Sequence, residues 1–413
     1  AAHGAHARAF SRDPAPPLGG SMLHRLARAG SPFAAAGRTA AAAWFPAGRA
    51  ALSKAAAGME DEYGELSDAG ESFTVENLQL ESGVVLPTAT VRYNTYGELN
   101  EARDNVIVVC HALTGNSALD SWWGGLLGPG KAYDTDKYCV VCANVMGSCY
   151  GSTGPTSTNP ATGASYGADF PRVTIRDSVH LQLRMVTEGL GASSVRAVVG
   201  GSMGGMQALE WLIMGGDLVR SGVVIGCGSH HSAWQIAISE LQRQAITNDP
   251  RWMGGRYSPD NPPVGGLSVA RQIAMVSYRT DMGYRRKFGR DVDAEGEWQV
   301  KRYLEYQGQK FLSRFDPHTY IALTHKMDSH DVGRGRGGAE EALQRITQPV
   351  LIMGIESDIL YPLHEQEALR DGIPNAEFQV ISSSEGHDAF LLEQDQVGSA
   401  ITSFLAGGTR SKL

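Results

Sequence analysis

Short apolar runs alternate with amphipathic stretches from about Met59 onwards. The runs have the length and the β-branched content of strands buried on both faces of a sheet: NVIVVCHAL, YCVVCANVM, VRAVVGGSM, VRSGVVIGCGS, PVLIMGIESD and AEFQVISSS. The helical period recurs at 174–191, 205–214 and 362–373, and again in the last stretch to Leu405. This alternation predicts an α/β fold with a mostly parallel central sheet and helices on both faces.

One long interval interrupts the alternation. Between Ser229 and Gln348 the sequence has no strand pattern, and helical patterns such as SAWQIAISELQRQAI and VKRYLEYQGQKFLSRF dominate. An insertion of this length between two strands predicts a helical lid. Ahead of the sheet, SFTVENLQLESG and VVLPTATVRYNTYG predict an antiparallel hairpin. We therefore divide the chain into a disordered extension at 1–58, a first core part at 59–229, a lid at 230–348 and a second core part at 349–413.

Both ends of the chain carry patterns that are typical of targeting signals. Residues 1–58 are rich in Ala, Arg and Ser and contain one acid, Asp13. From Met22, a candidate start, this segment has the acid-poor, arginine-bearing composition of a mitochondrial or plastid transit peptide. The chain closes with SKL at 411–413, the peroxisomal address. The two signals predict different compartments and the sequence does not choose between them; if neither is used, we expect a cytoplasmic protein.

Charge and cysteine content exclude several classes of function. The formal net charge of −8 leaves no global basic surface for nucleic acid or anionic lipid. No window approaches the roughly 18 uninterrupted apolar residues of a membrane span, so we expect a soluble intracellular protein. The CVVC at 139–142 has CxxC spacing, but positions i and i+3 of a strand point to opposite faces. Since no second CxxC or nearby His completes a zinc site, we predict buried thiols and no metal site.

The stretch AVVGGSMGGMQALEW, at 197–211, places one serine among glycines at a predicted turn between a strand and a helix. Gly200, Ser202 and Gly204 spell G-x-S-x-G. The residues around the serine must be small because the turn is sharp, and the turn lifts the serine hydroxyl above the sheet edge. The pattern predicts Ser202 as a nucleophile. The amide of Met203, at the helix N-terminus, is then one donor of an oxyanion hole.

A serine hydroxyl needs a base before it can attack at neutral pH. In folds built on this kind of turn, an acid and then a histidine follow at later strand ends. Asp358 ends the run PVLIMGIESD, and His387 lies in SSSEGHDAF after the last strand pattern. These residues complete a predicted Ser–His–Asp triad. The second oxyanion donor is expected from the turn VVCHALTGNS, with the backbone of Leu113 as the candidate.

Several blocks of sequence together resemble the homoserine O-acetyltransferase family: CHALTGNSALDSWW, NVMGSCYGSTGP, GGSMGGMQALEW, ARQIAMVSYR, DVGRGRGG and EGHDAF. They occur in order, and the resemblance runs from about Phe73 to Leu405. It implies an α/β-hydrolase fold with a helical lid. It also implies a ping-pong transfer of acetyl from acetyl-CoA to L-homoserine through acyl-Ser202, in methionine biosynthesis. Acetyl-CoA would be a co-substrate, with no cofactor bound permanently, and a homodimer is expected.

The same resemblance implies roles for three further residues. Arg271 matches the family's carboxylate-binding arginine, and a guanidinium fits a carboxylate in a bidentate way. Asp388, next to His387, matches the aspartate that takes the substrate ammonium. Tyr278 matches a tyrosine near the substrate, seven residues past Arg271 on the same helical face. The block GRGRGG at 333–338 superficially resembles an RGG nucleic-acid segment, but we interpret it as a structured loop near the base of the lid.

Other functions remain open from the sequence. Within the same family, the acceptor could be L-serine or the donor succinyl-CoA. A serine ester hydrolase would use the same triad with water as the acceptor. A catalytically silent scaffold is a further alternative, and the intact triad argues against it.

Overall fold

The computed structural model describes residues 70–407. Within this range the strands form one eight-stranded sheet in the order β1-β2-β4-β3-β5-β6-β7-β8. The strands are β1 (Glu71–Gln79), β2 (Val85–Tyr96), β3 (Val106–Cys110), β4 (Cys139–Ala143), β5 (Val195–Gly201), β6 (Gly222–Ile225), β7 (Val350–Ile355) and β8 (Ala376–Ile381).

The helices include one in each predicted periodic stretch. They are α1 (Leu119–Trp123), α2 (Ile175–Arg184), α3 (Met203–Gly215), α4 (Ala233–Thr247), α5 (Val264–Tyr278), α6 (Asp281–Phe288), α7 (Gln299–Phe311), α8 (Pro317–Asp328), α9 (Ala339–Gln344), α10 (Leu363–Gly372), α11 (Ala389–Leu392) and α12 (Gln394–Leu405). A π-helical turn at Met185–Gly189 follows α2 and was not predicted.

The strand directions confirm the predicted α/β fold. The β1–β2 hairpin and the β2–β4 pair are antiparallel, whereas every pairing from β4 to β8 is parallel. All residues of β3 and β4 are buried, as expected for strands covered on both faces. Cys139 belongs to the apolar core on one side of the sheet and Cys142 to the core on the other. The CxxC pair is therefore split between two faces, and both thiols are free.

Parallel strands bring their carboxyl ends to one edge of the sheet, and the candidate catalytic residues follow these ends. The loop after β3, the serine after β5, the acid after β7 and the histidine after β8 all follow such ends. Helices α4 to α9 occupy the chain between β6 and β7, which we call the helical insertion. Within it, α4 packs on α5 and α8, and α5 also packs on the turn Gly386–Asp388.

The loop at 333–338 joins the helical insertion to the core. Arg336 places its two guanidinium nitrogens on the two carboxylate oxygens of Glu210 in α3, at 3.0 and 2.7 Å. Arg176 of α2 contacts the same carboxylate at 3.0 Å. Glu210 is only 1% exposed, so its charge depends on these partners for stabilisation. The glycine- and arginine-rich block is therefore a structured loop.

None of the helices in residues 70–407 is long and apolar enough to cross a membrane. The predicted extension at 1–58 and the SKL at 411–413 lie outside the described residues. The exact domain boundaries, the homodimer and both targeting signals remain predictions.

Candidate active site

Ser202 occupies a sharp turn between β5 and α3. Its backbone has φ 57° and ψ −126°, a conformation that costs a non-glycine residue of order 1–3 kcal/mol and persists only where its surroundings enforce it. At the flanking positions 200 and 204, the neighbouring backbone leaves room only for glycine. A Cβ on Gly200 would overlap the carbonyl oxygen of Gly204, and a Cβ on Gly204 would overlap that of Cys110. The close backbone packing explains why the serine is flanked by glycines.

Asp358 is fixed by hydrogen bonds to both of its carboxylate oxygens. Oδ1 accepts the backbone amides of Leu360 and Tyr361, each at 2.8 Å. Oδ2 accepts Nδ1–H of His387 at 2.6 Å. Because a carboxylate can only accept, the neutral imidazole carries its proton on Nδ1. The other ring nitrogen, Nε2, is then an acceptor and can serve as a base.

His387 is buried in surroundings that favour its charged form at the moment of proton transfer. Burial lowers the pKa of His387, but the charge and hydrogen bond of Asp358 outweigh it, so the pKa is raised above 6.5. The ring of Tyr361 stacks on the imidazole with centroids 5.0 Å apart, and Phe390 lies edge-on at 5.6 Å. The buried Nε2 has no hydrogen-bond partner among residues 70–407.

Ser202 and His387 line one cavity. The predicted oxyanion residue Leu113 lies in the same wall, and Met203 is the first residue of α3. The apolar part of the wall includes Trp122, Phe390 and Leu391. The amide of Ser202 itself donates to the carbonyl of Ile225 at 2.9 Å, so this amide is already engaged. The cavity therefore brings Ser202, His387 and the loop of Leu113 together around one space.

The three residues predicted to bind substrate differ in their placement. Tyr278 and Asp388 line the cavity, whereas Arg271 is not among its lining residues. Arg271 is nevertheless buried, and its guanidinium lies 5.1 Å from the centroid of the Phe311 ring. Burial raises the pKa of Tyr278 to about 12 against the opposing charge of Arg271. The phenol therefore stays protonated near neutral pH.

Asp388 already has a cationic neighbour that the sequence did not suggest. Arg279 Nε lies 3.0 Å from Asp388 Oδ2, and Arg279 Nη1 lies 2.7 Å from a carboxylate oxygen of Glu385. Arg279 directly follows Tyr278 in the sequence. Its position next to a predicted substrate residue could have indicated that it also lies near the site. Any ammonium bound at Asp388 would share this carboxylate with Arg279.

Two further residues of the site escaped prediction. Tyr361 follows Asp358 closely, in a turn where the aspartate side chain accepts the amides of both Leu360 and Tyr361, and its ring stacks on His387. His111 follows β3 directly, and its Nδ1 lies 2.8 Å from the carbonyl oxygen of Ala112. The position of His111 at the end of a buried strand, within the predicted oxyanion turn, could have indicated that it belongs to the site.

Comparison with known proteins gives consistent results. A family model described as the alpha/beta hydrolase fold matches residues 105–394. A homoserine O-acetyltransferase from Chlorobium chlorochromatii is 48% identical over 328 residues, covering 79% of this chain and 92% of that protein. The crystal structure of homoserine O-acetyltransferase from Bacillus anthracis superposes with a TM-score of 0.76 at 26% identity, covering 81% of this chain and 96% of that one. Esterase E22 superposes with a TM-score of 0.75 at 26% identity, covering 81% and 99%.

Proposed function

Because this chain belongs to the homoserine O-acetyltransferase family, with the α/β-hydrolase fold, we propose that it transfers acetyl from acetyl-CoA to the hydroxyl of L-homoserine. The observation that carries the proposal is the 2.6 Å bond from His387 Nδ1 to Asp358, at the wall of the cavity that Ser202 also lines. The sequence identity of 48% with relatives of that name supports the choice of substrates. The resemblance places the reaction in methionine biosynthesis.

In the first half-reaction, the hydroxyl of Ser202 attacks the thioester carbonyl of acetyl-CoA. His387 Nε2 takes the hydroxyl proton, while Asp358 holds Nδ1–H and stabilises the imidazolium. The tetrahedral oxyanion lies near the amides of Leu113 and Met203, which are the proposed donors. Collapse of this intermediate breaks the carbon–sulfur bond, and the imidazolium protonates the departing thiolate. The products are CoA and acetyl-Ser202.

In the second half-reaction, the hydroxyl of homoserine attacks the acetyl-serine ester with His387 again as the base. Collapse of the tetrahedral intermediate breaks the ester bond to Ser202, whose oxygen takes the proton back from the imidazolium, and O-acetylhomoserine is released. Water competes for the same ester, so a transferase must exclude it and hold the acceptor in line. Placement of this kind supplies effective molarities of about 10⁵ M or more. Ser202 and His387 are 5% and 3% exposed, which supports a sheltered site. We propose that the helical insertion acts as the lid.

We propose that the amino-acid end of homoserine is bound by the three residues that the resemblance implies. Asp388, in the cavity wall, takes the ammonium, and Tyr278 packs beside the substrate. Arg271 takes the carboxylate from a buried position two helical turns before Tyr278, on the same face of α5. A bidentate contact from Arg271 needs substrate to reach beyond the cavity wall or a shift of α5.

The cavity wall favours an acetyl donor over a succinyl donor. Trp122, Phe390 and Leu391 supply apolar surface. Among the described residues that line the cavity, Asp388 carries the only permanent charge, and it is negative. A succinyl group would bring an extra carboxylate into these surroundings, where Arg279 is already paired with Asp388 and Arg271 is the proposed partner of the homoserine carboxylate. Burial of an unpaired charge is strongly unfavourable, so we expect acetyl-CoA to be the donor.

A thiol-release assay that crosses acetyl-CoA and succinyl-CoA with L-homoserine, L-serine and water tests this function. We expect fast CoA release only with acetyl-CoA and homoserine together, with product confirmed as O-acetylhomoserine. Equal rates with homoserine and with water alone would instead identify a hydrolase, the activity of the similarly folded esterase E22. Faster release with serine or succinyl-CoA would overturn the substrate assignment and leave the triad chemistry intact.

A further inference from the structure

The loop that follows β3, residues 111–115, is held by side chains from several parts of the fold; we call it the oxyanion loop. Residues 112–115 line the cavity. The carbonyl of His111 accepts Nε2–H of Gln207 in α3 at 3.2 Å. The carbonyl of Ala112 accepts from the imidazole of His111 at 2.8 Å, and that of Thr114 accepts from Arg314 Nη1 at 2.9 Å. Three carbonyl groups of one short loop are thus engaged by side chains.

The His111 contact bears directly on the proposed oxyanion donor. His111 Nε2 accepts the backbone amide of Val145 at 3.1 Å, so the proton lies on Nδ1, which donates to the Ala112 carbonyl. Burial lowers the pKa of His111 to about 4, and the ring is therefore neutral. The Ala112 carbonyl and the Leu113 N–H belong to one planar peptide group. Fixing the carbonyl also fixes the direction of the N–H and polarises it.

Arg314 holds the other half of the loop and comes from the helical insertion, just after α7. Its Nη1 donates both to the Thr114 carbonyl and to the phenol oxygen of Tyr150, at 3.1 Å. Its guanidinium lies 4.9 Å from the centroid of the Phe311 ring. A planar guanidinium that is stacked and hydrogen-bonded in this way loses little freedom when it contacts the loop.

We propose that Arg314 is a positioning residue for the oxyanion hole, through which the helical insertion fixes the conformation of residues 113–115. His111 and Gln207 hold the first half of the loop from the core, and Arg314 holds the second half from the insertion. The oxyanion hole is complete only when the insertion is seated on the core. This inference rests on the proposed function, because it takes the Leu113 amide to be an oxyanion donor.

Replacement of Arg314 by methionine tests the inference. Two reactions are measured: acetyl transfer to homoserine and the Ser202-dependent hydrolysis of p-nitrophenyl acetate, which needs neither CoA nor homoserine. We expect kcat to fall in both reactions by a similar factor of about 10 to 100, less than the loss of a donor itself. KM for acetyl-CoA and homoserine should stay within about threefold of wild type, because the contact acts in the transition state.

Three further variants separate positioning from folding and from substrate binding. Arg314→Lys should recover part of the lost kcat, since an ammonium can reach one acceptor but lacks the guanidinium fork. Tyr150→Phe removes the second acceptor and keeps the Thr114 contact, so its kcat should fall less than that of Arg314→Met. Arg285→Met, at an exposed ion pair with Asp281 in the same insertion, is the matched control. Thermal melts report folding, and if Arg314→Met does not fold, the partial loss in Arg314→Lys carries the test.

Two results would overturn the inference. Unchanged kcat in both reactions would show that Arg314 does not support the oxyanion hole. A raised KM for homoserine or acetyl-CoA, with ester hydrolysis unchanged, would show that Arg314 binds a substrate instead. Failure of the proposed function gives a different result: no acetyl reaches homoserine in the wild type. Ester hydrolysis then still reports the effect of Arg314 on the oxyanion hole.

Discussion

Replacement of Ser202 by alanine lowers kcat for acetyl transfer by about 10⁶-fold, the loss seen when the nucleophile of a triad is removed. Without the hydroxyl, no acyl-enzyme forms, and His387 and the oxyanion donors have no covalent step to assist. The variant should fold normally, because alanine fits the space and leaves the turn at Gly200 to Gly204 unchanged. The measurement is steady-state CoA release with homoserine, together with labelling of the protein by a fluorophosphonate probe, which Ser202→Ala abolishes.

Ser221→Ala is the matched control for this loss. Ser221 is also buried, but it lies immediately before β6, and its hydroxyl donates to the carbonyl of Arg196 at 2.8 Å. We expect this variant to keep its kcat and its labelling, with a stability loss of about 1 kcal/mol for the missing hydrogen bond. Ser202→Ala retaining more than a small part of the transferase rate would disprove covalent catalysis by this serine.

Replacement of Asp358 by asparagine lowers kcat by about 10³- to 10⁴-fold and moves the acid limb of the pH profile. The asparagine carbonyl can still accept the amides of Leu360 and Tyr361, so its NH₂ group faces His387 Nδ1. The imidazole proton is then driven to Nε2, where it blocks the base. Loss of the carboxylate also removes the charge that raises the pKa of His387, so burial dominates and the pKa falls.

The acid limb of the pH profile should move in one definite direction. In the wild type, activity falls as the pH drops through the raised pKa of His387, above 6.5, because the imidazole becomes protonated. In Asp358→Asn, the residual activity should persist to lower pH. Glu356→Gln, two residues earlier and bonded to the hydroxyl of Ser382, should change neither the rate nor the profile. An acid limb that stays in place or moves to higher pH in Asp358→Asn would contradict the role given to this carboxylate.

The sequence predicted the sheet and the strand-end positions of the three candidate triad residues because both depend on local patterns. Buried parallel strands are apolar throughout, and Ser202, Asp358 and His387 each follow such a run in the required chain order. The turn at Ser202 is recognisable because close backbone packing demands glycine at fixed positions around it. The order of strands in the sheet was not predicted. In the sheet, β4 lies between β2 and β3, and this order depends on the crossover connections, which the local sequence pattern does not indicate.

The remaining features depend on contacts between distant parts of the chain. Arg314 and Thr114 are 200 residues apart in the sequence, and nothing in either segment indicates that they meet. The pairing of Arg279 with Asp388 changes the charge around a predicted substrate residue, yet each residue read alone is an ordinary surface charge. Arg271 lies outside the cavity wall, two helical turns along α5 from Tyr278, and the helical period does not indicate how far along the helix the cavity extends.

The most direct test of the account is the mass of the protein after rapid mixing with acetyl-CoA in the absence of homoserine, followed by acid quench and peptide mapping. We predict one acetyl group on the peptide that contains Ser202, formed with one equivalent of released CoA and lost when homoserine is added. An unmodified protein that makes O-acetylhomoserine only when both substrates are present would contradict the acyl-serine mechanism. An acetyl group on any other residue would contradict the choice of nucleophile.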